Sequence, residues 1–242
     1  MTQPESLNLV TLLERHFKGT PLAGYLLLWQ NVIFSLLIVG ILSLLAFLAC
    51  RKKSMIPGRF QAAAELVVGG LDDFICGILG PQGRRYTPFI GTLFIYILFM
   101  NLFGLIPFMK SSTSSWSTTL ALALCVFVFV QYTGIREKGL IGYLDHLMGK
   151  PRGALAYSVI FPLFMLFLHL VSELVRPISL SLRLRSNIWG DDLLLAIFAG
   201  YGLKGVPILF FNMLLTIIAS TVQALVFSLL TTIYLALALA HE

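Results

Sequence analysis

The sequence predicts an all-α protein that crosses a membrane several times. Of its 242 residues, 58% are hydrophobic and only 12% are charged, whereas about 25% of a soluble domain is charged. Five long apolar runs divide the chain, and a helix of about 20 residues crosses a hydrocarbon core of about 30 Å. Lipid cannot pair backbone N–H and C=O groups, so such runs favour helices. The composition excludes a soluble globular domain, a disordered chain and a disulfide scaffold.

The first part of the chain combines a polar tail with three predicted spans. Residues 1–22 are polar with one apolar helical face, which is typical of a helix on a membrane surface. The spans are expected at 25–49, 88–108 and 120–134. Residues 54–86 are semi-polar and predict an amphipathic helix followed by a glycine-rich turn.

Two longer apolar stretches complete the chain, at 155–203 and 208–240. Each is longer than an upright span requires, and only a tight turn separates them. They therefore predict a long tilted helical hairpin. We expect the whole chain, 1–242, to form a single membrane domain.

The basic residues predict the orientation. The net charge is +6, but most Lys and Arg residues lie in short segments between apolar runs, which indicates topology and not a nucleic-acid partner. Residues 51–87 carry six of them and 135–155 carry four, whereas the opposite side carries four in total. Cytoplasmic loops are enriched in Lys and Arg. We therefore expect the N-terminus outside and the C-terminus inside.

Charged residues interrupt the fourth apolar stretch, in the segment 172–192. An arginine at bilayer depth costs from about 3 to more than 10 kcal/mol, so it usually faces protein or water and has a function. Asp192 lies nine residues after Arg183, on the opposite helix face and about 13 Å along the axis. Arg183 thus has no carboxylate on its own face, which favours a functional role. Arg176 has Glu173 three residues earlier, which favours a structural ion pair.

These residues resemble a known signature. Residues 176–187, Arg-Pro-Ile-Ser-Leu-Ser-Leu-Arg-Leu-x-x-Asn, are similar to that of subunit a, the proton-channel subunit of the rotary F-type ATP synthase membrane sector. Further segments resemble the second, third and last spans of that family; they are 83–94 with 101–107, 118–124, and 223–234. Together they cover most of the chain in the family's order.

The resemblance implies a role for each site residue. Arg183 would attract the carboxylates of a rotating c ring, against which the hairpin packs, and would separate two aqueous half-channels. A guanidinium stays protonated at physiological pH. Asn187 and Gln223 would lie beside it, with Asp192 relaying protons from outside and Glu173 in the cytoplasmic half-channel. Candidate lining residues are Arg185, Asp191, Thr216, Ser115, Ser117 and His169.

The resemblance also sets the expected partners. They are a c-subunit ring, b-type peripheral stalk subunits, membrane lipid and protons, in a bacterial inner membrane and without nucleic acid. Where the family usually has an aromatic residue and a glycine, this chain has Arg185 and Ser186, so whether Arg185 shares the role of Arg183 stays open. Many relatives place a His or Glu where Thr216 stands, which leaves open the partner of Asp192.

No nucleotide-binding, hydrolase or metal-binding motif occurs in the sequence. We therefore expect no cofactor, no metal and no enzymatic activity of the chain alone. The alternative is an independent proton-coupled secondary transporter, which would predict inverted repeats that the sequence lacks. An intramembrane enzyme is disfavoured because no nucleophile and base pair is recognisable. Co-isolation with a c ring would distinguish these classes.

Overall fold

A computed structural model describes residues 29–50, 58–106, 109, 111–148, 155–200 and 205–239. This part of the chain forms six α-helices: α1 Gln30–Cys50, α2 Arg59–Leu79, α3 Thr87–Phe103, α4 Trp116–Met148, α5 Leu155–Ala199 and α6 Val206–Leu239. Two 3₁₀ turns, Gly80–Arg85 and Ser112–Ser114, precede α3 and α4. The predicted all-α fold is confirmed. The surface helix predicted within residues 1–22 lies outside the described residues.

Within the described residues, four stretches of helix are long and apolar enough to cross a membrane: Gln30–Ala49, Trp116–Gly139, Leu163–Leu195 and Val206–Leu239. The second predicted span, 88–108, corresponds to α3, an apolar helix of 17 residues, about 26 Å long at 1.5 Å per residue. A multi-pass membrane protein is therefore confirmed. The charged helix α2 is not among the candidate spans, in keeping with the amphipathic helix that the sequence predicts there.

Helix α4 extends further than the sequence indicates. The third span is predicted at 120–134 with a basic loop after it, whereas the helix continues to Met148. At Gly139 the backbone has a φ of 72°, so the helix bends there. Glycine accepts a positive φ without a Cβ clash. Charged residues before Gly139 resemble a loop in composition, but Arg, Glu and Lys have high helix propensity.

Helices α5 and α6 are both longer than a bilayer core is thick. They contain 45 and 34 residues, or about 68 Å and 51 Å. Helix α5 is continuous through Pro177 and Gly190, so neither residue ends the helix. The two helices pack against each other, as the predicted tilted hairpin requires.

The core forms where α6 packs against α3, α4 and α5. Its fully buried members come from all four helices and include Ile97, Val126, Leu184, Ala224 and Phe227. Because α6 contacts each of the other three, it sets the position of the polar residues that they carry.

Hydroxyl groups hold together one end of the bundle, which we call the serine end. They lie in residues 111–115, between α3 and α4. Ser111 donates to the Met100 carbonyl at 3.1 Å, and Ser112 donates to the Asn31 carbonyl at 2.7 Å. The loop is therefore fixed to both α1 and α3.

Charged contacts connect the helices at the opposite end, the basic end. The Arg85 guanidinium donates to Glu137 at 2.9 Å, which joins the 3₁₀ turn to α4. Asp72 of α2 accepts the Thr87 hydroxyl at 2.6 Å and the Arg84 guanidinium at 3.1 Å. These hydrogen bonds, first from Thr87 and then from Arg84, lower the pKa of Asp72 because they stabilise its charged form.

Candidate functional site

Helix α5 carries a row of charged residues with Arg183 near its middle. The Arg183 side chain is exposed at the surface of the described helices. Glu173 lies ten residues before it and Asp192 nine residues after it, so these carboxylates are about 15 Å and 13 Å away along the axis. Two clefts that each contain charged side chains open beside α5, one on each side of the Arg183 level.

The first cleft lies toward the basic end and is built around Glu173. Arg176 forms an ion pair with one carboxylate oxygen of Glu173 at 2.6 Å, and Gln131 of α4 donates to the other at 2.7 Å. The Arg176 guanidinium lies over the Tyr234 ring of α6, 5.0 Å from its centre. This basic-end cleft is small, with a volume of about 10 Å³, and Leu180 is in its wall. The ion pair predicted for Arg176 and Glu173 is confirmed.

The second cleft, the serine-end cleft, lies between α3, α5 and α6 and has a volume of about 20 Å³. Its polar lining consists of Asn101, Ser111, Asp191, Asp192, Thr216 and Ser220. Asn101 accepts the Thr113 hydroxyl at 3.0 Å through its oxygen. Its buried amide nitrogen has no hydrogen-bond partner in the described part of the chain. A buried donor of this kind is normally satisfied by water, so the cleft suits a hydrated path.

An apolar layer separates the two clefts. Leu180 is in the wall of the first cleft and Ile188 is in the wall of the second. Leu184 lies between them and is fully buried. At 100° per residue, Glu173, Leu184 and Asp191 lie within about 20° of one helix face. A proton that moved directly between the carboxylates on that face would therefore have to cross the leucine side chains.

Arg183 and Arg185 point to different sides of α5. Two residues along a helix correspond to about 200° of rotation. Arg183 is exposed, whereas the Arg185 guanidinium lies over the Trp116 ring of α4, 5.2 Å from its centre. Asn187 is half-buried, and its amide nitrogen has no hydrogen-bond partner among the described residues.

Helix α6 contributes a buried polar stripe at helical spacing: Asn212, Thr216, Ser220 and Gln223. The Thr216 hydroxyl donates to the Asn212 carbonyl at 3.0 Å. The side-chain amide nitrogens of Asn212 and Gln223 are buried without a hydrogen-bond partner in the described ranges. The stripe therefore presents unused donors beside the serine-end cleft.

The remaining predicted lining residues lie away from the serine-end cleft. The Ser115 hydroxyl, in the loop before α4, is 2.8 Å from that of Thr118. Ser117 is exposed in the first turn of α4. His169 lies one turn before Glu173, toward the basic end, with its Nδ1 atom 3.0 Å from the Met165 carbonyl. Neither Ser115 nor Ser117 lines the serine-end cleft.

The polar cleft residues that were not among the predicted site residues are Asn101, Ser111, Ser220, Arg176 and Tyr234, together with Gln131, which donates to Glu173. Ser220 lies four residues after Thr216 and three before Gln223, and this spacing was a usable signal. Gln131 is polar within an otherwise apolar span, which is a second signal. The positions of Ser111 and Tyr234 depend on packing between distant segments.

Comparison with known proteins identifies the family. The family model described as ATP synthase A chain matches residues 32–236. The chain belongs to the ATP synthase A chain family. The match includes all of α2 to α5 and most of α1 and α6, so both clefts and Arg183 lie within the family region.

Relatives named ATP synthase subunit a are similar over most of their length. The chain is 42% identical to the protein from Protochlamydia amoebophila over 248 residues, which covers 99% of this chain and 91% of the relative. A protein from Pelobacter propionicus, ATP synthase subunit a 3, is 38% identical over 84% of this chain and 85% of its own. The protein from Sulfurihydrogenibium sp. is 36% identical over 88% of this chain and 98% of its own. The resemblance to the subunit a family is thereby confirmed.

Proposed function

We propose that this chain is the proton-translocating stator subunit of an F-type ATP synthase. It would pass protons to and from the membrane carboxylates of a rotating c ring. The observation that carries the proposal is the placement of Arg183, exposed at the level where an apolar layer separates two clefts that contain charged side chains. Family membership supports it.

The apolar layer forces a detour through the ring. Bare charge crosses low-dielectric material at high cost, and Leu184 and Phe227 are almost fully buried there. A proton entering one cleft would bind a ring carboxylate, travel with the turning ring and leave by the other cleft. Each proton crossing 100 mV releases about 2.3 kcal/mol, and the ring retains this energy only if no direct path exists.

Arg183 would serve as the electrostatic separator. Its guanidinium remains charged at any physiological pH and attracts a deprotonated ring carboxylate. The same charge repels a free proton, so a leak past this level is disfavoured. Exposed apolar side chains occur on both helices of the hairpin, including Leu182 of α5, next to Arg183 in the chain, and Val222 of α6. We infer that the c ring packs on the face that carries Arg183.

The two clefts would be the two half-channels. The positive-inside rule places the basic end in the cytoplasm and the serine end outside. Asp191 and Asp192 would then relay protons in the outer half-channel, with Thr216 beside them. Asn187 and Gln223 would hold water near Arg183, since both carry buried amide donors that lack a protein partner among the described residues.

Glu173 would belong to the cytoplasmic half-channel. Arg176 and Gln131 occupy its two carboxylate oxygens, so we expect it to shape that cleft. His169, one turn earlier, would lie nearer the cytoplasm.

The chain would act as part of a complex in a bacterial inner membrane. Its partners would be the c ring and b-type stalk subunits, and it would not hydrolyse ATP by itself. An independent proton-coupled transporter would work alone in liposomes. Purification from membranes tests this alternative, because we expect the c ring and stalk to co-isolate with the chain.

The decisive test is Arg183→Ala in the assembled complex. We expect proton-driven ATP synthesis in membrane vesicles to be abolished while the c ring still co-isolates, because the arginine contacts the ring and is not part of the buried core. Arg136→Ala, which removes an exposed arginine of α4 outside both clefts, is the matched control and should retain synthesis. Normal coupled synthesis by Arg183→Ala would refute the proposal.

A further inference from the structure

Arg185 is a second membrane-level cation whose surroundings differ from those of Arg183. It is half-buried, and its guanidinium stacks over the Trp116 ring at 5.2 Å. Its Nε atom is buried and makes no hydrogen bond within the described structure. A planar guanidinium can stack on an aromatic face through its own π-system as well as its charge. Arg185 is therefore held against α4.

A second contact lies one turn away on the same two helices. The Ser181 hydroxyl donates to the Thr119 hydroxyl at 3.2 Å, and both side chains are buried. Ser181 and Arg185 are four residues apart on α5, and Trp116 and Thr119 are three residues apart on α4. Such spacings place each pair on one helix face. The two contacts thus join one face of α5 to one face of α4.

Two contacts on one face restrict rotation of α5 about its own axis. Ser181 and Arg185 lie about 160° to 200° around the helix from Arg183. A helix joined to α4 at both points must direct Arg183 away from α4. If α5 turned by one residue, or about 100°, Arg183 would leave the exposed face and a neighbouring leucine would replace it.

We propose that Arg185, through its stacking on Trp116, is a positioning residue that sets the rotation of α5 and leaves Arg183 as the cation facing the ring. The Ser181–Thr119 bond is the second point of this clamp. The inference rests on the proposed function, since it assigns how the ring-facing arginine is oriented. Arg185 takes no direct part in proton transfer, because opposite sides of one helix cannot face the same ring.

The test compares variants of the clamp in the intact ATP synthase in membrane vesicles. The variants are Arg185→Met, Trp116→Leu and the double variant. The conservative variants are Arg185→Lys, which keeps the charge, and Trp116→Phe, which keeps an aromatic face. Trp29→Leu is the matched control, because Trp29 is also an exposed tryptophan but lies at the start of α1. Co-isolation of the c ring is measured for every variant.

Coupled proton pumping is the first readout. We expect Arg185→Met and Trp116→Leu each to lower ATP-driven pumping per assembled complex by about threefold or more, the scale of a cation–π contact. The double variant should pump no more slowly than the more impaired of the two single variants, because all three variants lose the same contact. Both conservative variants should recover at least half of the loss. The clamp would be contradicted if the reduction in pumping of the double variant were the product of the reductions of the two single variants.

The second readout reports rotation directly. Cysteines are introduced singly at Leu182, which is exposed, and at Leu184, which is buried, in a background with the native cysteines replaced by alanine. Disulfide formation with a cysteine in the c ring should favour position 182 over 184, and clamp variants should reduce that preference. An unchanged preference together with normal pumping in Arg185→Met would overturn the inference.

The two proposals fail in different ways. If Arg183→Ala abolishes synthesis while every clamp variant behaves like the control, only the positioning role is wrong. If Arg183→Ala supports normal coupled synthesis, the proposed function is wrong whatever the clamp variants do.

Discussion

The two clefts beside α5 are built from different chemistry. In the basic-end cleft, Arg176 and Gln131 occupy both carboxylate oxygens of Glu173. In the serine-end cleft, carboxylates lie among hydroxyls and side-chain amides, and the Asn101 amide nitrogen has no protein partner among the described residues. One cleft therefore holds a fixed ion pair, whereas the other offers groups that water can bridge.

This difference indicates how one helix can serve both sides of a membrane. A carboxylate whose two oxygens are occupied exchanges protons poorly but fixes the helices around it. A carboxylate beside unused donors can exchange protons through water. We infer that proton transfer through the serine-end cleft depends on the chemistry of its side chains. Proton exit through the basic-end cleft depends instead on the shape of that cleft.

The largest effect is expected from opening the layer between the clefts. Leu184→Asn places an amide where the side chain is fully buried, and a buried amide recruits water. Passive proton conductance of vesicles stripped of the catalytic sector should rise about tenfold or more, measured with a pH-sensitive dye. Leu182→Asn, the same change at an exposed position, should leak much less. Equal conductance in the two variants would show that the layer is not the barrier.

Substitution of the cleft carboxylates should have a smaller effect than opening the apolar layer, and this effect should differ between the two clefts. Asp192→Asn removes a group that can exchange a proton. It should slow proton-driven ATP synthesis by roughly tenfold, because loss of a proton-transfer group typically lowers a rate by at least that factor. Glu173→Gln leaves Arg176 without its counter-charge, so it should lower the yield of assembled complex more than the rate per complex.

Rates and yields of the two variants are measured on the same preparations. Asp73→Asn is the control for removal of a carboxylate, since Asp73 is exposed on α2 and lines neither cleft. An unchanged rate for Asp192→Asn would argue against its relay role. Equal losses of rate in Asp192→Asn and Glu173→Gln would remove the distinction between the clefts.

The smallest effect is expected at Asp72, outside both clefts. Hydrogen bonds from Thr87 and Arg84 lower its folded-state pKa, so its contribution to stability is present above its ordinary pKa of about 3.9. That contribution is lost as the pH falls through the lowered folded-state value. Asp72→Asn should lower the melting temperature of the detergent-solubilised protein by a few degrees at pH 7. The difference from wild type should shrink below about pH 4, and a difference independent of pH would contradict this assignment.

Local pattern was sufficient to predict the helices and to single out Arg183 as a candidate. Apolar runs predict membrane spans because the length and apolar character of a span depend only on the lipid around that one helix. The continuation of α4 to Met148 was missed because charge suggested a loop, although the helix bends only at Gly139. An unpaired arginine in an apolar run is similarly a local signal.

Contacts between distant segments were not predictable in the same way. Trp116 and Arg185 belong to different helices, and their stacking depends on how α4 and α5 rotate against each other. The same applies to Asn101 and Ser220, which line one cleft only because α3 and α6 pack together. Helix faces are readable from a sequence, but the pairing of faces requires the tertiary structure.

The apolar layer also has an electrical consequence. Its limits, Leu180 and Ile188, are eight residues apart, or about 12 Å along α5, whereas the hydrocarbon core is about 30 Å thick. With water in both clefts, most of the membrane voltage would fall across this short distance, because polar media sustain little field. The local gradient would then be more than twice that in the surrounding lipid. The ring carboxylate beside Arg183 would move in the steepest part of that field.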